Sequence, residues 1–583
     1  MLYSYQVAAT DPAGGTVTLS LTASPASATL SGSTLSWTPA AAQSRVSNSF
    51  TVTATTTSGG TAAQSWTVTP TGTITVSVMN TNWTSTGPQT LPGEFPLGAA
   101  IVPNADGSVL VISGSFTSPG VFTIPAVPAG YYWLTTGINL TDIFDAFWTS
   151  SSTVDLGRDI PGPPAAVTTM QNTTFNFNIG GLTPTSTPSL VAVSTPSFFL
   201  SPASEATAVS GTTTVDSAVD WSKVDTVFLT QYEPASLGSL KFLELGPALT
   251  VSNPGYTDGG TNMLTETLQP SPEASLSVSV PGSQWASLFN NVGPAPAGPV
   301  GSWLSISAEP FITGRNLSLD PFALNLPLVT DPLNSSGPAQ LPMDFCLDGA
   351  ALDPSPAPEP AILTDESFGT LDYGDPFPSS WTRAVAFCQV VALPISVVGS
   401  PGTSFPFFLS YGVAVPPSSS PSLAPLAEPV QNPTINGANL FTESTIDTTV
   451  VTLSWSAPQG TAPFGYQIAA FTQTAMPNGV TYATAGYFGT AKTSATLPPL
   501  TPGQTYVFVI TTAVDAAANM EISPWRSALP TGFANVISAP VTISPGATAP
   551  AIHGDAKVFA ELYRHKGKVF TTSFASQREP ALR

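Results

Sequence analysis

The sequence predicts an all-β chain of tandem β-sandwiches joined by Pro/Ser/Thr-rich linkers. Three observations point there. The 583 residues include 60 prolines and 47 glycines, which interrupt the chain too often for long helices. Between them lie runs of Thr, Val, Ser and aromatic residues, the types that fit a pleated surface. Many of these runs alternate polar and apolar positions, the period of a strand with one face in a core. The chain is too long for one sandwich, and about four domains are expected, each large enough to bury its own core.

Composition also narrows function. Only 8% of residues are charged, against about 25% in an average soluble domain, so the surface is hydrated mainly through Ser and Thr hydroxyls. The formal net charge is −21. Such a surface repels phosphate backbones, and no nucleic-acid partner is expected. Anionic membrane surfaces are disfavoured for the same reason. No apolar run reaches the roughly 18 residues of a membrane span, so no transmembrane segment is predicted. The chain opens MLYSYQVAATDPAGG, already strand and turn, with no signal peptide in view. The expectation is a secreted or cell-surface protein whose N-terminus is incomplete, because the first unit reads as lacking its opening strand.

Residues 1–75 alternate cleanly through YSYQVAATDPAGGTVTLSLTASP, ATLSGSTLSWTPAAAQ and SFTVTATTTSGGTAAQSWTVTP. The ATDPAGG turn, the LSWTP strand with Trp37 and the closing hairpin resemble the immunoglobulin-like and cadherin-like modules repeated in bacterial surface proteins. The resemblance implies a β-sandwich with Trp37 in its core. In that family the first turn often reads DPDGD, and its acids can bind calcium. Here Asp11 is kept, while Ala13 and Gly15 stand where two further acids would be. Calcium takes about six to eight oxygen ligands, so Asp11 is a calcium candidate whose plainer role is to form the turn.

Residues 76–185 form a second β unit, with SVLVISGSF and GVFTIPAVPAGYYWLTT as its clearest strands. The phrase GVFTIPAVPAGYYWL resembles the carboxypeptidase-regulatory or prealbumin-like sandwich. Phe144, Phe147 and Trp148 follow as a dense aromatic group. Core packing is the ordinary role of such residues. Trp148 is also a candidate ligand contact, since aromatic faces stack on sugars and other ligands.

A Thr/Ser/Pro-rich boundary at 181–198 leads into a large β region, 190–415, that resembles no family. TVFLTQY, SLKFLELG, ASLSVSVPG, SWLSISAEPF and FFLSYGVAV are its strands. SQWASLFNNVG reads as a short helix, with Trp285, Leu288 and Phe289 at helical spacing. The densest acidic stretch runs from Asp344 to Asp375. Within it Asp365, Asp372 and Asp375 have the spacing of oxygen ligands that calcium could use. A solvated acidic loop is the plainer reading. Cys346 and Cys388, the two cysteines of the chain, suit one disulfide in an oxidising compartment or, equally, two buried thiols.

Residues 416–433 are dominated by Pro and Ser and read as an extended, semi-rigid linker. The unit after it, 434–545, carries the sharpest signal in the chain. In LPPLTPGQTYVFVITTAVD, Pro502 and Gly503 make a turn, and Tyr506, Phe508 and Ile510 then share one strand face. Upstream lies LSWSAP with Trp455. Together these resemble a fibronectin type III domain. The resemblance implies a sandwich in which Trp455 fills the core and Tyr506 is the tyrosine corner; it names a scaffold rather than a chemistry. The stretch after Asp515 is long for a hairpin loop. It carries Trp525 and Arg526, either as a contact surface, with Trp525 a candidate ligand aromatic, or as a packed insertion. The tail, 546–583, holds both histidines; DAKVFAELYRHKGKVF could form a short amphipathic helix, and a disordered, solvated terminus is the plainer expectation.

Conventional catalysis finds little footing. A Ser-His-Asp or Cys-His site needs a histidine base, and the histidines are confined to positions 553 and 565. Zinc sites need several His or Cys ligands, and HExxH, GxSxG, GxGxxG and P-loop patterns are missing. Two carboxylates within 190–415 are the remaining catalytic option. Sequons at Asn82, Asn139, Asn172, Asn316 and Asn334 are expected by chance in a Ser/Thr-rich chain. The sequence thus predicts a non-catalytic exported or cell-surface modular protein: a spacer, adhesion or assembly scaffold acting through loops. The alternative is a carbohydrate-binding or accessory component of a polysaccharide-degrading system. Its partner would be an extracellular protein or a glycan. No cofactor is expected, with calcium the one ion to consider.

Overall fold

The computed structural model describes residues 2–559 apart from 310–361 and shorter interruptions, the longer of them at 138–143, 162–166, 182–189, 200–203, 206–209, 268–271, 295–298 and 375–381. The chain is all-β and arranged in several sheets. The helix Gly282–Ser287 is short. It forms where helical spacing predicts it, with Trp285, Leu288 and Phe289 buried.

The N-terminal unit packs two three-stranded sheets. One contains Tyr3–Gln6, Thr34–Trp37 and Thr29–Ser31; the other contains Val17–Ala23, Asn48–Thr56 and Thr61–Val68. Val7, Leu35, Trp37, Phe50 and Val52 fill the space between them. Phe50 is the hub. It lies edge-on to Trp37, with centroids 5.2 Å apart, and stacks on Trp66 at 5.5 Å. The period-two pattern of the sequence produces this core directly, since alternate side chains of each strand point inward.

A 14-stranded sheet dominates the remainder. From one end it runs Pro299–Glu309, Thr382–Ser396, Ser404–Val415, Thr531–Ile537, Thr505–Asp515, Gly465–Met476 and Gly479–Thr490. It continues through Phe144–Thr149, Tyr132–Gly137, Leu97–Pro103, Val109–Ser113 and Ile552–Gly554, and Ser444–Thr448 with Val541–Thr548 branches from Thr505–Asp515 to make up the fourteen. Strand pairing therefore crosses the expected unit limits. The central joint is parallel, with Ala146 opposite Phe488 and Phe147 opposite Gly489. Gly489 lets the two strands approach: a Cβ there would meet Met520 Sδ at 2.6 Å and the Phe147 ring at 3.0 Å.

The unit at 434–545 is a sandwich. A four-stranded sheet holds Gln431–Ile435, Ala438–Asn439, Thr452–Ser456 and Ser494–Thr496. It faces the Gly479–Thr490, Gly465–Met476, Thr505–Asp515 and Thr531–Ile537 strands of the large sheet. Tyr506, Phe508 and Ile510 are fully buried on one face of Thr505–Asp515, and Val507 and Val509 are buried on the other. The second face is covered because Val292, Leu393 and Leu409 belong to the same core. A strand covered on both sides reads as a near-continuous apolar run, which TYVFVI is.

Two segments differ from expectation. Within 416–433, Leu423, Ala427 and Val430 are buried. Leu423 bonds through its N–H to Ser279 O at 2.9 Å and through its carbonyl to Trp285 Nε1 at 2.7 Å. This stretch is a packed strap, because apolar residues recur between its prolines. The start of the tail is also folded. Ile552–Gly554 pairs in parallel with Val109–Ser113, Phe559 is buried, and Asp555 accepts from Ser113 Oγ at 2.9 Å. The edge of Val109–Ser113 presents backbone groups that a further strand satisfies. Residues 560–583 lie outside the described residues.

Candidate functional site

Charged side chains are rare in this chain, and several of the described ones join one unit to another. Arg45, in the N-terminal unit, forks onto three carbonyls of the second unit. Its Nε donates to Pro128 O at 3.0 Å, Nη1 to Ser151 O at 3.0 Å and Nη2 to Gly130 O at 2.7 Å. Its guanidinium also lies over the Tyr132 ring, 5.0 Å from the centroid. Burial raises the Tyr132 phenol well above its usual range, so it stays neutral beneath the cation. Arg526 does the same from the other side. Its Nε pairs with Asp155 Oδ2 at 3.0 Å, and Nη2 donates to Met79 O at 2.9 Å.

Beside the Arg45 joint, at Gly130, lies a cleft of about 530 Å³. Strands Leu97–Pro103, Tyr132–Gly137 and Phe144–Thr149 supply one wall, through Ile101, Trp133 and Trp148. The 434–545 unit supplies the opposite wall, through Val450 and the Leu497–Pro499 turn. Alternation along YYWL sends Tyr131 and Trp133 to one side of the sheet and Tyr132 to the other. Trp148 is cross-strand partner to Trp133, with centroids 5.0 Å apart, and stacks on Tyr131 at 5.6 Å with 19° between the planes. Trp133 Nε1 donates to Thr496 O at 2.8 Å, which pins the two walls together.

The outer end of this aromatic ladder is ionic. Tyr131 donates its hydroxyl to Glu521 Oε1 at 3.1 Å, and Lys492 Nζ lies 3.5 Å from the same oxygen. The Lys492 ammonium also sits 5.0 Å from the Tyr131 centroid. The Tyr131 hydroxyl, and after it Glu521, hold the Lys492 ammonium above its usual range.

Trp148, expected as core or as ligand contact, is half-buried and lines the cleft. Trp525 is half-buried too, but its ring packs edge-on against Phe147 at 5.5 Å, and Arg526 beside it is engaged with Asp155. The long loop after Asp515 is therefore seated on the second unit rather than held out to solvent. Trp37, Trp455 and Tyr506 are buried in their sandwich cores. Trp455 meets Tyr466 edge-on at 5.0 Å. Tyr506 accepts at its hydroxyl from Thr501 N at 3.0 Å, the bond of a tyrosine corner.

The acidic candidates are engaged locally or lie beyond description. Asp11 Oδ1 accepts from Ala13 N at 2.9 Å, and Asp11 O accepts from Gly14 N, which closes the turn with Gly14 at φ 76°. Asp365 accepts from Ser283 Oγ at 2.6 Å and Ser283 N at 3.1 Å. These bonds, the hydroxyl first, hold its carboxyl below the usual carboxylate range. Asp372 sits in strand Asp365–Gly374 opposite Ser275, and Asp375 lies outside the described residues. Among the described residues, no group of three or more His, Cys, Asp or Glu side chains is placed to hold a metal ion. Cys388 is buried and disulfide-bonded. Cys346, the other cysteine of the chain, lies outside the described residues.

Comparison adds little. No protein-family model matches the chain. No curated protein matches it either. Among solved structures, it is similar to a streptococcal ancillary pilin, at 8% identity over 58% of this chain and 95% of the pilin, with a TM-score of 0.11. It is also similar to the FN1–FN3 domains of chicken CNTN1, at 12% identity over 66% of this chain and 99% of that one, with a TM-score of 0.12. Likenesses at these TM-scores leave the functional reading to the chain's own residues.

Sequence reasoning missed Tyr131, Lys492 and Glu521. The one signal for Tyr131 is the alternation that places it beside Trp133. Nothing local marks Lys492 or Glu521, whose meeting with Tyr131 spans more than 350 positions.

Proposed function

We propose that the chain is a non-catalytic module of an exported or cell-surface protein, serving as a spacer, adhesion or assembly scaffold. The observation that carries this reading is the use made of charge. Arg45 and Arg526 hold unit to unit, Lys492 meets Tyr131 of the second unit, and Asp555 holds the tail strand to that unit. Groups committed to such joints make a rigid body rather than an acid–base pair in a cleft, and rigid scaffolds present contacts through loops. Among the described residues no helix is long and apolar enough to cross a membrane.

The test is to immobilise the full chain and measure binding of extracellular-matrix proteins and glycans, beside turnover assays on polysaccharide and peptide substrates. Saturable binding without turnover is the expected result. Steady hydrolysis of any substrate by the purified chain would overturn the reading. Surface labelling of the producing cell checks location, and protein found only inside the cell would refute export.

A second reading, a carbohydrate-binding or accessory role in polysaccharide breakdown, is favoured by one observation: the half-buried aromatic side chains Tyr131 and Trp148 at the cleft.

A further inference from the structure

We propose that strand Thr61–Val68 of the N-terminal unit is an assembly edge, which pairs antiparallel with the same strand of a second copy of this chain. The inference rests on the assembly-scaffold reading and names its partner.

A sandwich of two three-stranded sheets has four edge strands. An open edge presents unpaired N–H and C=O groups, and proteins blunt such edges by making them short, bulged, charged or proline-bearing. Three of the four edges here are blunted. Tyr3–Gln6 has four residues and Thr29–Ser31 has three. Val17–Ala23 is longer, but its register with Asn48–Thr56 shifts between Leu21 and Ala23. Thr61–Val68 is the exception. It has eight residues, TAAQSWTV, without proline or charge, and its register with Asn48–Thr56 is unbroken from Thr61 to Val68. Among the described residues it pairs with that strand alone. Elsewhere the chain closes such an edge itself, as Ile552–Gly554 does for Val109–Ser113.

Charge names the occupant. The charged side chains of residues 1–75 are Asp11 and Arg45, which cancel. The −21 of the chain is therefore borne by the rest of it, and two copies repel least when they meet through their N-terminal units.

Thr61–Val68 is also compatible with itself. In an antiparallel pair, opposite residues share a face. A two-fold axis perpendicular to the sheet keeps each face on its own side, so the axis passes through one residue of the strand. Placed at Gln64, it sets Ala63 opposite Ser65 of the second copy, and Thr61 opposite Thr67, on the outer face. On the inner face it sets Ala62 opposite Trp66, a small side chain beside a large one. Trp66 is half-buried at this lip, its ring centroid 4.8 Å from that of Tyr5, and the added strand covers its open flank. The two three-stranded sheets become one six-stranded sheet, closed by symmetry rather than running on into a fibre.

The experiment uses the full chain and sedimentation velocity over a concentration series. Ala63 and Ser65 are exposed, so Ala63→Lys with Ser65→Lys sets like charges opposite one another across the axis without touching the core. The same change on a blunted edge, at the exposed Thr18 and Ser20, is the control: Thr18→Lys with Ser20→Lys. All variants are checked for an unchanged melting temperature. The expected result is a reversible dimer whose dissociation constant rises about ten-fold or more with the Ala63 and Ser65 lysines and is unmoved by the control. Ala63→Glu with Ser65→Glu should weaken the dimer likewise, and mixing this variant with the Ala63 and Ser65 lysine variant should restore pairing. Absence of that rescue overturns the proposal. So does a dimer weakened equally by both lysine pairs, or by neither. A monomeric wild-type chain overturns it too, whether or not a different protein takes the Thr61–Val68 edge; if that monomer still binds matrix protein or glycan without turnover, the scaffold reading survives.

Discussion

Removing the Arg45 side chain should loosen the N-terminal unit from the second one. Arg45 has φ 60°, in the left-handed region. Alanine keeps the Cβ and leaves the backbone preference almost unchanged, so Arg45→Ala isolates the side chain. Three charge-assisted bonds are lost, each worth about 1.5–3 kcal/mol when fully protected. Gly130 is exposed and Pro128 half-exposed, so water repays part of that loss. Ser151 O keeps a bond from the Tyr132 hydroxyl at 2.7 Å. The contact with the Tyr132 ring adds about 0.5–1 kcal/mol. A net destabilisation of about 3 kcal/mol follows from these contributions. Arg45→Lys should recover little of it, since an ammonium cannot fork onto three carbonyls. Urea unfolding of the full chain reads the energy, and small-angle scattering reads the spread of orientations between units. An Arg45→Ala protein within about 0.5 kcal/mol of wild type, the range of an ordinary surface substitution, with an unchanged scattering profile, would refute the anchor.

The other predictions concern the core of the 434–545 unit, the central joint, the helix and the tail. Tyr506→Phe removes the acceptor of Thr501 N and should cost about 1 kcal/mol in urea unfolding; no loss would mean that the corner bond is unimportant. Gly489→Ala drives a Cβ into Met520 and Phe147, and should cost about 1–3 kcal/mol and expose the 144–149 strand to hydrogen exchange. Trp285→Ala empties the space between the helix and the strap and should cost about 3–5 kcal/mol, read as a fall in melting temperature with faster proteolysis near 416–430. Asp555 is held below its ordinary value of 3.8, first by the Val558 N–H and then by the Ser113 hydroxyl. A depressed carboxyl stabilises above its unfolded value and ceases to do so as pH falls through the folded one. Limited proteolysis of the tail should therefore be flat above about pH 4 and rise below it. A tail equally protected at low pH would contradict this.

The strand-and-turn character of the chain was legible because it is local. Period-two alternation, Pro and Gly placement and the scarcity of charge each act within a few residues of where they stand. The same is true of the helix around Trp285, and of Tyr506, whose partner Thr501 lies five positions upstream. Val507 and Val509 also carried a signal, an apolar second face beside that of Tyr506, Phe508 and Ile510.

What the tertiary structure decided is how the strands share one sheet and where the few charges go. Pairing of Phe144–Thr149 with Gly479–Thr490 depends on Gly489 meeting Phe147 from more than 300 positions away. Composition made 416–433 look like a spacer, yet Leu423, Ala427 and Val430 are apolar enough to be drawn into a core once one is at hand. Whether Trp525 and Arg526 form a contact surface or a packed insertion was open in the sequence, because their seats on Phe147 and Asp155 belong to another unit. The cleft arises in the same way. Trp148 is visible in the sequence, but Tyr131, Lys492 and Glu521 gather around it only when two units dock. A hydrophobic pattern specifies which face a residue buries; which surface it buries against is set by long-range packing that no local pattern encodes.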